Sequence, residues 1–70
     1  MRRAVVVYSG YRSLPDPGPV IRARVNGVWL RGLLRAWQKE DDRWWAFVTV
    51  YQHNGSRPLR VDQDDVRSVD

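Results

Sequence analysis

Read with a period of two, residues 28 to 37, VWLRGLLRAW, separate into two faces. Val28, Leu30, Gly32, Leu34 and Ala36 fall on one side, and Trp29, Arg31, Leu33, Arg35 and Trp37 on the other. A helical reading scatters the tryptophans and arginines around the whole circumference, so the pattern predicts a strand. The same alternation runs through VIRARV, residues 20 to 25, into Asn26-Gly27, a pair suited to a tight hairpin whose two central residues both need positive φ. The long strand ends at KEDDR, where Glu40, Asp41 and Asp42 supply turn chemistry. WWAFVTVY, residues 44 to 51, is rich in β-branched and aromatic side chains and predicts the next strand. HNGSRP reads as a loop, LRV (residues 59 to 61) as a short strand, DQDD as a turn or a single 3₁₀ turn, and VRSV as a last short strand. In residues 13 to 19, SLPDPGP, three prolines and a glycine exclude the interior of either helix or strand. This rigid turn sets off an N-terminal arm, residues 1 to 12. The chain is thus one domain, with arm and turn over 1–19 and a β body over 20–70. A weak likeness between VVVYSGYRSLP and VTVYQHNGSRPL favours the arm as a sixth strand.

The fold class implied is all-β: a single small half-open barrel of about five strands with a strand-like N-terminal extension. NGVWLRGLLRAW, then WWAFVTVY, a Gly-containing loop and LRVDQDDVRSV resemble the Tudor domain and related SH3-like barrels over residues 20 to 69. The resemblance and the alternation place the same residues in the core: Leu30, Gly32, Leu34, Ala36, Trp44, Ala46, Val48, Val50, Val61, Val66 and Val69. Tudor domains that read methylated Lys or Arg use an aromatic cage. Of its walls only Tyr51 has a counterpart here. Leu30 stands at one other wall, Ala23, Arg24 and Val25 at a second, and His53 and Asn54 in the loop of the last. The resemblance therefore implies the fold and not methyl-residue reading.

Composition narrows the chemistry. Seventy residues without cysteine exclude a disulfide framework and a Cys zinc site, so stability rests on packing. The apolar run near the N-terminus is too short for a signal segment or a membrane span, and a cytoplasmic location is expected. A net charge of +4 and a pI near 10.3, carried by eleven arginines and one lysine, favour polyanionic partners. The arginines run along the whole chain, so base composition of the gene accounts for part of that skew. His53, the only histidine, lies in a loop with no orienting partner in the pattern, and the serines lack a nucleophile context. Glu40-Asp41-Asp42 and Asp62-Asp64-Asp65 have turn spacing rather than that of a metal loop. A non-enzymatic protein without cofactor or metal is expected.

The outer face of the long hairpin is the informative feature. Pairing across a three-residue loop, EDD, would set Lys39 opposite Arg43, Trp37 opposite Trp45, Arg35 opposite Phe47, Leu33 opposite Thr49 and Arg31 opposite Tyr51. Arg31, Arg35, Trp37, Trp45, Phe47 and Tyr51, with Arg22 and Arg24 beside them and Arg2 and Arg3 adding charge, then form a basic and aromatic surface. Such a surface suits nucleic acid, DNA before RNA, with arginines on phosphates and aromatic rings under bases. Three alternatives compete for it: cover by the apolar arm, a protein partner in an aromatic groove, and burial in a homodimer. The positions of the two acidic clusters discriminate among them, because carboxylates flanking the face would repel phosphate.

Overall fold

A computed structural model describes residues 10–69 of the chain. The strands are β1 (Tyr11–Ser13), β2 (Val20–Val25), β3 (Val28–Glu40), β4 (Arg43–Gln52), β5 (Gly55–Asp62) and β6 (Val66–Ser68), with a 3₁₀ turn over Gln63–Asp65. They make one antiparallel sheet in the order β5-β4-β3-β2-β6, and β1 pairs with the far half of β3. Among the described residues the two outer strands, β5 and β6, do not pair with each other, so the sheet is open. No helix among them is long and apolar enough to cross a membrane.

The two long strands give the molecule its shape. Thirteen residues of β3 amount to about 43 Å of extended chain, which accounts for principal extents of 44 × 23 × 23 Å. The partner along one edge of β3 changes midway. β2 covers its first half, from Val25↔Val28 to Val20↔Leu33, and β1 the second, from Ser13↔Ala36 to Tyr11↔Gln38. Between them the proline-rich segment keeps two backbone bonds to β3, Leu34 N to Pro19 O (2.9 Å) and Leu14 N to Arg35 O (2.9 Å), and just before β1 Gly10 O accepts a third from Lys39 N (3.2 Å). Gly18 crosses so close that a Cβ there would lie 1.8 Å from the Leu34 carbonyl oxygen. The end of the expected arm therefore forms a sixth strand. Of the expected cover of the aromatic face by residues 4 to 11, residues 4 to 9 lie outside the described residues.

Where the segment detours, β3 carries a bulge. The ladder steps from Leu34↔Val48 to Ala36↔Phe47, leaving Arg35 as the extra residue. Such a bulge lets one strand carry two residues against one of its partner and reverses the inside-outside alternation beyond it. Trp37, opposite Ala46, is thereby brought to the core side, and Ala36, opposite Phe47, to the outer side, where it is buried outside the main core cluster. The hairpin turn is also one residue shorter than expected. Glu40 pairs with Arg43, and Asp41 and Asp42 both adopt positive φ, 52° and 66°, a conformation that Asp tolerates better than most side chains.

The core cluster consists of Ile21, Ala23, Leu34, Ala46, Val48 and Val50, with Leu14, Leu30, Trp37, Leu59, Val61 and Val66 packed against it. Ile21 and Ala23 of β2, absent from the expected core, are central to it. Trp44 and Val69, expected to be core, are only partly buried. The expected loop over residues 53 to 58 shrinks to a turn at His53-Asn54, because β5 begins at Gly55. Pro58 is tolerated within β5 because this strand lies at the sheet edge, where no outer neighbour needs its missing N–H.

Asp62 closes the β5–β6 connection. Its carboxylate accepts the Asp64 backbone N–H (2.8 Å), capping the 3₁₀ turn, and accepts the Arg43 guanidinium (Nε to Oδ2, 2.8 Å) from the start of β4. The Arg43 bond and then the Asp64 N–H hold the Asp62 carboxyl below the usual carboxylate range. A lowered folded-state pKa stabilises the fold above the unfolded value, near about 4, and loses that contribution as pH falls through the lower folded value. Melting temperature should therefore fall more steeply below about pH 4 in the wild type than in Asp62→Asn. Parallel acid profiles of the two proteins would show Asp62 to be idle.

Candidate functional site

The register assigns the outer face of the sheet residue by residue. Across β6, β2 and β3, Arg67 lies opposite Arg22 and Arg22 opposite Arg31; one step along, Arg24 lies opposite Trp29. Across β3, β4 and β5, Leu33, Thr49 and Pro58 are in line, as are Ala36, Phe47 and Arg60, and Gln38, Trp45 and Asp62. Tyr51 and Ser56 face each other at the end of the last pair of strands. Of the predicted site, Arg22, Arg24, Arg31, Arg35, Trp45, Phe47 and Tyr51 share this surface. Trp37 does not. It packs on the core with its ring edge-on to Trp44, centroids 6.5 Å apart, and the two indoles with Gln63 line an open apolar cleft of about 330 Å³.

Within the shared surface the two halves differ in how their charges and rings are used. In the half near the β3–β4 turn Arg35, Arg43 and Arg60 are each bound by a carboxylate. Arg35 donates to Asp16 (2.6 Å) and to Thr49 Oγ1 (3.2 Å), Arg43 is held by Asp62 and Asp64, and Arg60 pairs with Glu40. The aromatic rings there are engaged as well: the Arg60 guanidinium lies 4.3 Å from the Trp45 ring centroid, and Tyr11 packs on Phe47 at 6.1 Å. Both acidic clusters belong to this end or to the 3₁₀ turn. Phosphate approaching Trp45 and Phe47 would meet cations already neutralised and would face their carboxylates.

The other half is left positive. Arg22, Arg31 and Arg67 form one row across three adjacent strands, and none of them has a carboxylate partner among the described residues. Trp29 supports Arg67 of the row and its neighbour Arg24. Arg67 lies 4.0 Å and Arg24 5.3 Å from its ring centroid, and Arg24 is further fixed by Asp65, with Nε and Nη2 at 3.0 and 2.8 Å from the same oxygen. Stacking on an indole reduces the rotamers these long side chains would lose on binding. At the edge of the row a polar recess of about 280 Å³ is lined by Arg22, Arg67, Ser68 and Val69.

The positive patch therefore centres on Arg22, Arg31, Arg67 and Trp29, one half-strand away from Trp37 and Trp45. Arg67 and Trp29 were missing from the predicted set, although the alternation of residues 28 to 37 already put Trp29 on the face with Arg31. VRSV gave no sign that its arginine would lie beside Arg22, since that depends on β6 returning to pair with β2. Compared with protein-family models, curated proteins and solved structures, the chain shows no significant match.

Proposed function

We propose that the protein is a non-enzymatic binding module that associates with nucleic acid, DNA in preference to RNA, through the sheet face around Arg22, Arg31, Arg67 and Trp29. The observation that carries this reading is the row of three arginines without a carboxylate partner among the described residues. Like charges directly opposite on adjacent strands destabilise a sheet, and here the cost is incurred twice in one row while Arg24, Arg35, Arg43 and Arg60 each have an acidic partner. A polyanion would relieve it, since the planar guanidinium fork matches phosphate oxygens. The strand order β6-β2-β3-β4-β5 with a 3₁₀ turn before β6 supports a further assignment to the Tudor-like and SH3-like half-open barrels.

Fluorescence anisotropy with labelled duplex DNA, single-stranded DNA and RNA of matched length tests the reading. Three arginine-phosphate contacts to a duplex would give a log K against log salt slope of about −2.7. An affinity flat between low and moderate salt would reject nucleic acid as the partner, and equal or tighter RNA binding would reject the DNA preference. The Trp37–Trp44–Gln63 cleft favours a second reading, a protein-interaction adaptor that takes an apolar side chain or a second copy of the chain there. Under that reading Trp44→Ala abolishes partner binding while Arg22→Gln leaves it intact. Sedimentation on dilution detects a self-associating form.

A further inference from the structure

We infer that the recess between Arg22 and Arg67 is a seat for a single phosphate group, held by two guanidinium forks. The inference rests on the nucleic-acid reading for the source of that phosphate. Arg22 and Arg67 are Cα partners on neighbouring strands, about 4.8 Å apart across the ladder, close enough for both side chains to converge on one tetrahedral anion. The recess they line with Ser68 and Val69 is concave and mainly polar, in contrast to the open apolar cleft at Trp37 and Trp44.

Counter-charge is also distributed in favour of an outside anion. Asp65, two residues before Arg67, is engaged by both Nε and Nη2 of Arg24. Arg67 is held against the Trp29 ring, so its guanidinium is positioned before any ligand arrives. Arg31, on the other side of Arg22, adds a third positive charge in the same row. Two forks, a pre-positioned side chain and no competing carboxylate among the described residues describe a site for a phosphate oxyanion. Two sources share that chemistry: a backbone phosphodiester and the monoester at a strand end.

The test uses the full chain and inorganic phosphate at low ionic strength, with chloride as the matched control, read by the arginine Nε–Hε resonances in NMR. Saturable shifts should appear at Arg22 and Arg67. Arg22→Gln should weaken phosphate binding by about tenfold or more, whereas Arg57→Gln, on β5 at the opposite edge of the sheet, should not. The dispersed amide spectrum shows that each variant is folded, and Arg22→Lys, which keeps the charge without the fork, should also weaken it. Absence of saturation, or equal losses in Arg22→Gln and Arg57→Gln, overturns the site. Single-stranded oligodeoxynucleotides with and without a 5′-phosphate then separate the sources. About tenfold tighter binding of the phosphorylated strand assigns the seat to a monoester end, and equal binding, weakened by Arg22→Gln, assigns it to the backbone. DNA binding without phosphate saturation overturns the seat and leaves the face, whereas phosphate saturation without DNA binding keeps the seat and removes nucleic acid as its source.

Discussion

Replacing Gly32 by alanine is expected to destabilise the protein by about 3 kcal/mol, among the largest effects of any single methyl group in the chain. Gly32 is buried on the core side of β3 opposite Val50, and a Cβ there would lie 2.4 Å from the Thr49 carbonyl oxygen and 3.1 Å from the Val50 Cα. Both obstacles are backbone, so the clash is relieved only by moving β3 away from β4 along the pair that forms the centre of the sheet. For a domain of this size the loss corresponds to a fall in melting temperature of roughly 12 °C or more. Gly27→Ala gives the comparison. Its φ of +81° is costly for alanine, but nothing lies within 4 Å of its Cβ position, so it should lose only about 1 kcal/mol. Thermal unfolding of the two variants separates crowding from conformational strain, and equal losses would refute the close approach at Gly32.

Arg22→Glu should separate stability from binding. Glutamate between Arg31 and Arg67 turns two repulsive cross-strand pairs into attractive ones, each worth about 0.2 to 1 kcal/mol. The variant should therefore melt a few degrees higher than the wild type. Its affinity for duplex DNA should fall by at least about tenfold at low salt, with a shallower salt slope, because one phosphate contact is lost and a negative charge is placed in the row. A gain in stability at the expense of binding marks a surface that carries charge for a partner rather than for the fold. A variant that melts lower and binds DNA as before would refute both the charge arrangement and the site.

The alternation along β2, β3 and β4 was legible because one face of each strand must be apolar. The turns at Asn26-Gly27 and the 3₁₀ turn over Gln63–Asp65 were legible from their residue types. The register at Leu33↔Thr49 was also read correctly, for an instructive reason. The hairpin turn is one residue shorter than expected and the bulge at Arg35 is one residue longer, so the two differences cancel below Leu34. Between Ala36 and Glu40 they do not cancel, and there Trp37 passed from the outer face to the core.

Nothing in GLLRAW marks the bulge, since an extra residue in a strand leaves no compositional trace. What coincides with it is distant in the chain: Pro19 accepts the Leu34 N–H, Leu14 donates to the Arg35 carbonyl, and Gly18 presses on Leu34. The sequence by itself determined that the chain is a β protein, that its core is aliphatic and that arginines and aromatic rings share an outer surface, because period-two burial and turn chemistry are local. Only the tertiary structure decided which arginines keep their charge. Asp16, Glu40, Asp62 and Asp65 reach partners across the sheet, and an ion pair is set by where strands meet in space, not by how far apart residues stand along the chain.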